Sequence, residues 1–197
     1  ICYDARHAKR RLEGAAILHF DEAWFAYAKF HPVYAGHFAM SLEERDRLVF
    51  ATQSTHKLLT ALSQASMIHV RFPKEVLASE DLQDDFHEAF NESYMMHSST
   101  SPQYSMVASL EVATKMMHDN GRTALGDIME EAIELRRKIA RIKAEEASQG
   151  DWFFGIWQPD AIATLPTEEL VRDQRYWTLA PGAAWHGFPR EELSEPY

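Results

Sequence analysis

The stretch that most constrains this chain is Ala51 to Val70, ATQSTHKLLTALSQASMIHV. Leu48-Val49-Phe50 before it reads as a short buried strand, and small hydroxylated residues, Thr52, Ser54 and Thr55, follow. His56 and Lys57 then stand side by side. Leu58, Leu59, Leu62 and Ala65 recur at helical spacing, which predicts an amphipathic helix after the lysine. A lysine held between an apolar strand and an apolar helix is poorly solvated. Burial disfavours the ammonium form, and a neutral amine is a nucleophile able to form an imine. The neighbouring hydroxyls and imidazole are suited to a phosphate, so the stretch points to a lysine-bound cofactor carrying one.

An apolar run with the character of a buried parallel strand lies upstream, Ala15-Ala16-Ile17-Leu18-His19-Phe20, and it ends at Asp21. Ligands of open α/β sheets collect beyond the carboxyl ends of the strands, where Asp21 is expected. An acid in that place also caps helices. On this residue alone the cap is the simpler reading.

Four segments carry a family resemblance in order and spacing: HFDEAW at 19–24, STHKLLTALSQASMIHV at 54–70, YMMHSSTSPQYSMVAS at 94–109 and WHGF at 185–188. Together they resemble the bacterial ornithine/lysine/arginine decarboxylases, which depend on pyridoxal 5'-phosphate. The resemblance spans nearly the whole chain. It implies an α/β fold: part of a fold type I (aspartate-aminotransferase-like) large domain with a mainly parallel sheet, leading into a smaller α/β domain. Lys57 would form the imine with the cofactor, and Asp21 would pair with the pyridine nitrogen and keep it protonated. That positive ring stabilises the carbanion left when CO2 departs. Ala23 would pack on one ring face, Trp24 would line the pocket, and Ser54 and His56 would contact the phosphate. Ser99 stands where the family more familiarly has Thr, and would reach the phosphate in a neighbouring subunit. A homodimer or higher homo-oligomer is then the catalytic unit.

The expected reaction is decarboxylation of a basic amino acid to its amine, as in polyamine metabolism. Lysine and arginine are expected before ornithine. An aminotransferase uses the same lysine and aspartate, and a non-catalytic scaffold or regulatory paralogue is the alternative from another class. Keeping Asp21, Ser54, His56 and Lys57 together argues against the scaffold.

Composition narrows the remaining classes. A net charge of −10 argues against a general nucleic-acid partner. No apolar run approaches the ~20 residues of a membrane span. One cysteine, Cys2, excludes an internal disulfide framework and fits a reducing, cytoplasmic compartment. The chain opens at Ile1, without Met, and is expected to be an internal portion of a longer polypeptide.

Several local expectations complete the reading. Residues 4–13 should form a solvated helix, 25–47 an irregular aromatic loop with a polar excursion, and 71–85 a surface connection. His69 reads as a strand or core histidine. Met106, Leu110, Ala113 and Met117 mark a packed helical stripe, closed by Asp119-Asn120-Gly121. Asp127 and Glu130 resemble a capping box opening a second long helix, with Ile128, Leu135, Ile139 and Ile142 on one side and a Glu134–Lys138 pair. The domain boundary is placed there: 1–127 as the latter part of the cofactor domain, 128–197 as the connecting helix and start of the next domain. Trp152-Phe153-Phe154 reads as a strand of that second domain.

Overall fold

Both apolar runs form strands, and their pairing sets the geometry of everything beyond them. The computed structural model describes residues 4–147, 150, 156–179, 182–185 and 187–189. Cys2 and the Trp152-Phe153-Phe154 segment lie outside these residues.

Helix α1, Ala5–Arg11, is capped by Asp4, whose carboxylate accepts from the Arg6 and His7 amides. It is not wholly solvated as expected. Ala5 and Lys9 are buried, and the Lys9 ammonium pairs with Glu44 and Asp46. Strand β1, Ile17–Asp21, alternates exposed and buried positions, so Leu18 and Phe20 face inward while Ile17, His19 and Asp21 face out.

Residues 22–47 return the chain to the start of the next strand through three 3-10 turns, Ala28–Phe30, Pro32–Tyr34 and Ala39–Ser41. Phe25, Tyr27 and Tyr34 meet edge to face at 5.3–5.5 Å, the preferred arrangement of aromatic rings. The loop is aromatic, as expected, but it is also core. Ala28, Val33, Ala39 and Leu42 are buried within it.

Strand β2, Leu48–Gln53, runs parallel to β1 with Asp21 opposite Thr52. Helix α2, Thr55–Leu58, is a single turn. The expected amphipathic helix stops at Leu58, because Thr60 (φ 60°) and Gln64 (φ 73°) adopt the left-handed conformation and turn the chain back. Leu59, Ala61 and Ala65 are buried regardless, so the apolar spacing marks a packed loop. Strand β3, Met67–Arg71, then pairs with β2 antiparallel, with Gln53 opposite Met67. The three-stranded sheet, in order β1-β2-β3, is therefore mixed, where a mainly parallel one was expected. The left-handed turns at Thr60 and Gln64 send the chain back along β2 in the opposite direction.

One face of the sheet packs on α1 and the 39–41 turn through Ala5, Leu18, Phe20, Ala39, Leu42, Val49 and Ala51. The expected surface connection contains α3, Lys74–Leu77, and the start of α4, Glu80–His97. On the other face Phe50 stacks on Phe86, which continues along α4 through Phe90 and Tyr94 at i,i+4 spacing.

Helix α5 spans Tyr104–Glu146, 43 residues, roughly 65 Å at the helical rise. Asp119-Asn120-Gly121 does not close it, and Asp127 caps nothing. Lys115 and Asp119 form an i,i+4 pair on the helix leading into the first expected break. At Gly121 the helix crosses Phe30 so closely that a Cβ would stand 3.0 Å from the Phe30 Cβ. The glycine therefore serves a helix crossing, not a turn.

Met106, Leu110, Ala113 and Met117 form the packed stripe expected of them, with Ala113 buried against Ala61 and Ala65. Of the second expected stripe only Ile139 is half-buried. Ile128, Leu135 and Ile142 are exposed, while Met129 and Ile133 face a second core of Val33, Ile162, Leu170, Val171 and Trp177.

Glu134 pairs with Arg137, not Lys138. Arg137 also donates to the carbonyls of Ile162 and Leu165, clamping residues 160–167 onto α5. Helix α6, Thr167–Arg172, follows, and β4, Ala184–Trp185, pairs with β5, Phe188–Pro189. His186 of the WHGF segment lies outside the described residues. The boundary expected at 127/128 falls within the unbroken α5. Among the described residues no helix is long and apolar enough to cross a membrane.

Candidate active site

The sheet register brings Asp21 and Lys57 to the same end of neighbouring strands. Asp21 closes β1, and Lys57 lies on the helical turn just beyond β2. This is the carboxyl end of a parallel pair, where side chains of adjacent loops converge. The Asp21 carboxylate accepts from the Ala23 amide at 3.0 Å, an Asx turn that fixes its rotamer and places half-buried Ala23 beside it. His19 and Thr52 join on the same outward face of the sheet, with His19 Nε2 2.7 Å from Thr52 Oγ1.

Lys57 differs from expectation in one respect. It is exposed and not sandwiched in apolar surroundings, because the helix meant to cover it is only one turn. Its ammonium lies 4.9 Å from the centre of the Trp24 ring, a cation–π contact. Trp24 is itself 64% exposed, so it is a pocket-lining candidate and not part of the core.

Ser54 occupies the cap position of α2 yet makes no side-chain capping bond. His56 Nδ1 lies 2.7 Å from the Ala65 carbonyl, and its amide also donates to that oxygen. A carbonyl can only accept, so Nδ1 carries the hydrogen. A neutral His56 therefore presents a lone pair at Nε2, and an anion bound there requires the imidazolium. Ser99 lies in the segment between α4 and α5. It is exposed, and its hydroxyl accepts from the Ser101 amide at 3.0 Å.

Directly behind the site lies a group that sequence reasoning passed over. Glu22 follows Asp21, and strand alternation sends the two acids to opposite faces. Glu22 is 1% exposed. Its carboxylate accepts from the Ala39 amide at 2.6 Å and from Gln53 Nε2 at 2.8 Å. Gln53 Oε1 is in turn 3.1 Å from His69 Nε2. Burial pushes the Glu22 carboxyl above its ordinary range, against the pull of its two donors. Burial, helped by the Lys29 charge, lowers His69 and favours its neutral form. His69 is thus the strand histidine expected of it, with a polar partner.

These residues match a ring-bearing, anionic group: an acid for a ring nitrogen, an amine for a carbonyl carbon, a hydroxyl and an imidazole for a phosphate. Among the described residues no group of three or more His, Cys, Asp or Glu is placed to hold a metal ion.

Residues 1–195 match the family model described as the major domain of ornithine/lysine/arginine decarboxylases. The chain belongs to this family. It is 42% identical over 204 residues to the biodegradative arginine decarboxylase of Escherichia coli K12, covering 95% of this chain and 26% of that protein. It is 43% identical over 201 residues to a lysine decarboxylase of Pseudomonas aeruginosa, covering 100% of this chain and 25% of that protein. The solved lysine decarboxylase A from Pseudomonas aeruginosa superposes with a TM-score of 0.75 at 41% identity, over 98% of this chain and 25% of that one. The chain thus spans about a quarter of the length of these family members.

Proposed function

We propose that the polypeptide carrying this chain uses pyridoxal 5'-phosphate to decarboxylate a basic amino acid, lysine or arginine before ornithine, giving the amine and CO2. The observation that carries the reading is the convergence of Asp21 and Lys57 at the carboxyl ends of adjacent parallel strands, with Trp24 against the lysine. The similarity to arginine and lysine decarboxylases supports the substrate class. It is equally strong for both, so it does not rank the two substrates.

When bound, the cofactor supplies a positively charged ring that accepts the electron pair left on Cα as CO2 departs. The chain's own residues do the rest. Lys57 would hold the cofactor through its amine, and the same amine would carry a proton at Cα. The Asp21 carboxylate holds the proton on the ring nitrogen. Ala23, with only a methyl group, leaves room for a ring face, and Trp24 covers the approach to Lys57. The Ser54 hydroxyl and a protonated His56 donate to phosphate oxygens. Ser99 reaches the same phosphate from a neighbouring subunit, which makes at least a homodimer the working unit. In this reading residues 1–127 belong to the cofactor domain, and 128–197 connect it to the next.

The test compares the full-length wild type with Lys57→Ala. Wild type should bind pyridoxal phosphate with a visible absorbance band and release CO2 from lysine or arginine without forming a keto acid. Lys57→Ala should lose the band and several orders of magnitude in turnover. Keto-acid production, or near-normal turnover without Lys57, would overturn the assignment.

A further inference from the structure

Among the described residues Glu22 is buried with no ion pair to a cationic side chain, and it costs the fold the desolvation of a carboxylate. What it gains in return is geometric. Its amide donates to the Thr52 carbonyl at 2.9 Å, extending the β1–β2 ladder one step past Asp21. Its carbonyl accepts from the Phe25 amide at 2.8 Å and starts the turn that presents Ala23 and Trp24. Its carboxylate binds Gln53, the last residue of β2, and the Ala39 amide. Gln53 is followed directly by the Ser54–Lys57 segment, and it also reaches β3 through His69. The Glu22, Gln53 and His69 side chains therefore link all three strands from the side opposite Asp21.

We propose that Glu22 is a positioning residue whose carboxylate, bonded to Gln53 and the Ala39 amide, fixes Asp21 on β1 relative to Lys57 beyond β2. This rests on the cofactor reading above. An apolar side chain of similar size would fill the same space, but it would leave the Gln53 amide and the Ala39 N–H unpaired and the two strand ends untied. The hydrogen-bond polarity also sets the rest of the chain of contacts. With Gln53 Nε2 donating to Glu22, its Oε1 must accept, so His69 carries its hydrogen on Nε2.

That polarity provides the test, made on the full-length protein with added pyridoxal phosphate. Cofactor Kd and the pH midpoint of the bound cofactor's visible absorbance are measured beside Tm. Glu22→Ala should weaken cofactor binding by about tenfold or more and move the midpoint, as displaced supporting groups do elsewhere. Gln53→Glu should do the same, since it faces one buried carboxylate with another. Glu22→Gln should stay within roughly threefold of wild type, because Gln53 can rotate its amide and His69 can change tautomer. The combined Glu22→Gln/Gln53→Glu variant should recover what Gln53→Glu lost. The amide at 22 then donates to the carboxylate at 53, which accepts from His69.

If Glu22→Ala and Gln53→Glu lower Tm yet leave Kd and midpoint within about twofold of wild type, the network is only structural and the proposal fails. It also fails if the combined variant recovers nothing, a comparison that stands even where Glu22→Ala does not fold. A wild type that takes up no pyridoxal phosphate defeats the cofactor reading itself, and the proposal with it.

Discussion

The Lys57 ammonium sits 4.9 Å from the centre of the Trp24 ring, although Trp24 belongs to the turn after β1 and Lys57 to α2 beyond β2. The contact sets where the amine points while leaving it open to solvent, because Trp24 is mostly exposed. Exposed cation–π contacts contribute ~1 kcal/mol or less, which is roughly fivefold in a binding constant. Trp24→Ala should therefore leave Tm within about 2 °C of wild type but weaken pyridoxal phosphate binding several-fold. Thermal melts and a cofactor titration on the same preparation check this. Unchanged affinity would remove Trp24 from the pocket.

Asp21 is held by its Asx turn to Ala23, so its carboxylate points one way before any ligand arrives. Asp21→Ala should still bind the cofactor through Lys57 and the phosphate donors. Turnover per bound cofactor should fall by about 10²-fold or more, because the ring nitrogen loses its proton-holding partner. Turnover that falls only in step with occupancy would make Asp21 a binding residue alone.

The parts of this arrangement visible in the sequence are those governed by local pattern. The runs ending at Phe20 and Phe50 announced their strands, and Asp21, Ser54, His56 and Lys57 stood out by type and order. The helix expected after Lys57 failed because nothing in LLTALSQAS announces left-handed residues at Thr60 and Gln64, where neither is glycine. The break expected at Asp119-Asn120-Gly121 failed because Gly121 answers to Phe30, a partner far away in the chain. The Glu22–Gln53–His69 network depends on contacts across strands. One signal was available: two consecutive acids at a strand end must face opposite ways, and Gln53 shares the inward parity of Glu22.

Acid stability should report on the α1 contacts. The Lys9 ammonium and the Arg47 guanidinium hold Asp46 down at about 2, below its usual 3.8. A depressed carboxyl contributes stability that is present above its unfolded value and lost as pH falls through the folded one. Asp46→Asn should therefore lower Tm at pH 7, with the difference shrinking below pH ~4 and mostly lost by pH ~2. Asp46 is 44% exposed, so solvent screening limits the effect to about 1 kcal/mol or less. Melting wild type and variant from pH 2 to 7 decides it. A difference that does not change with pH would mean the ion pair contributes nothing there.

Residues 1–197 expressed by themselves should self-associate. β1 and β3 flank β2 in the three-stranded sheet, so each has an outer edge unpaired among the described residues. Open edges template pairing with other chains. The outward face carries exposed Ile17 and Ile68, the lysine loop exposes Leu58 and Leu62, and α5 exposes Ile128, Leu135 and Ile142 at intervals of one heptad. Apolar surface in such continuous stripes is covered in stable proteins, either by more of the same chain or by another copy. The charge of −10 opposes association, but between separated surface charges that repulsion is screened at ordinary ionic strength. Burial of apolar stripes is not weakened in that way. Sizing at about 10 µM should show species well above 22.7 kDa, growing with added salt as the repulsion is screened. The same preparation should release little or no CO2 from lysine or arginine, because an open pocket leaves Lys57 and any bound group in water. A salt-insensitive monomer with robust CO2 release would show that this segment alone covers its apolar faces and completes its own site.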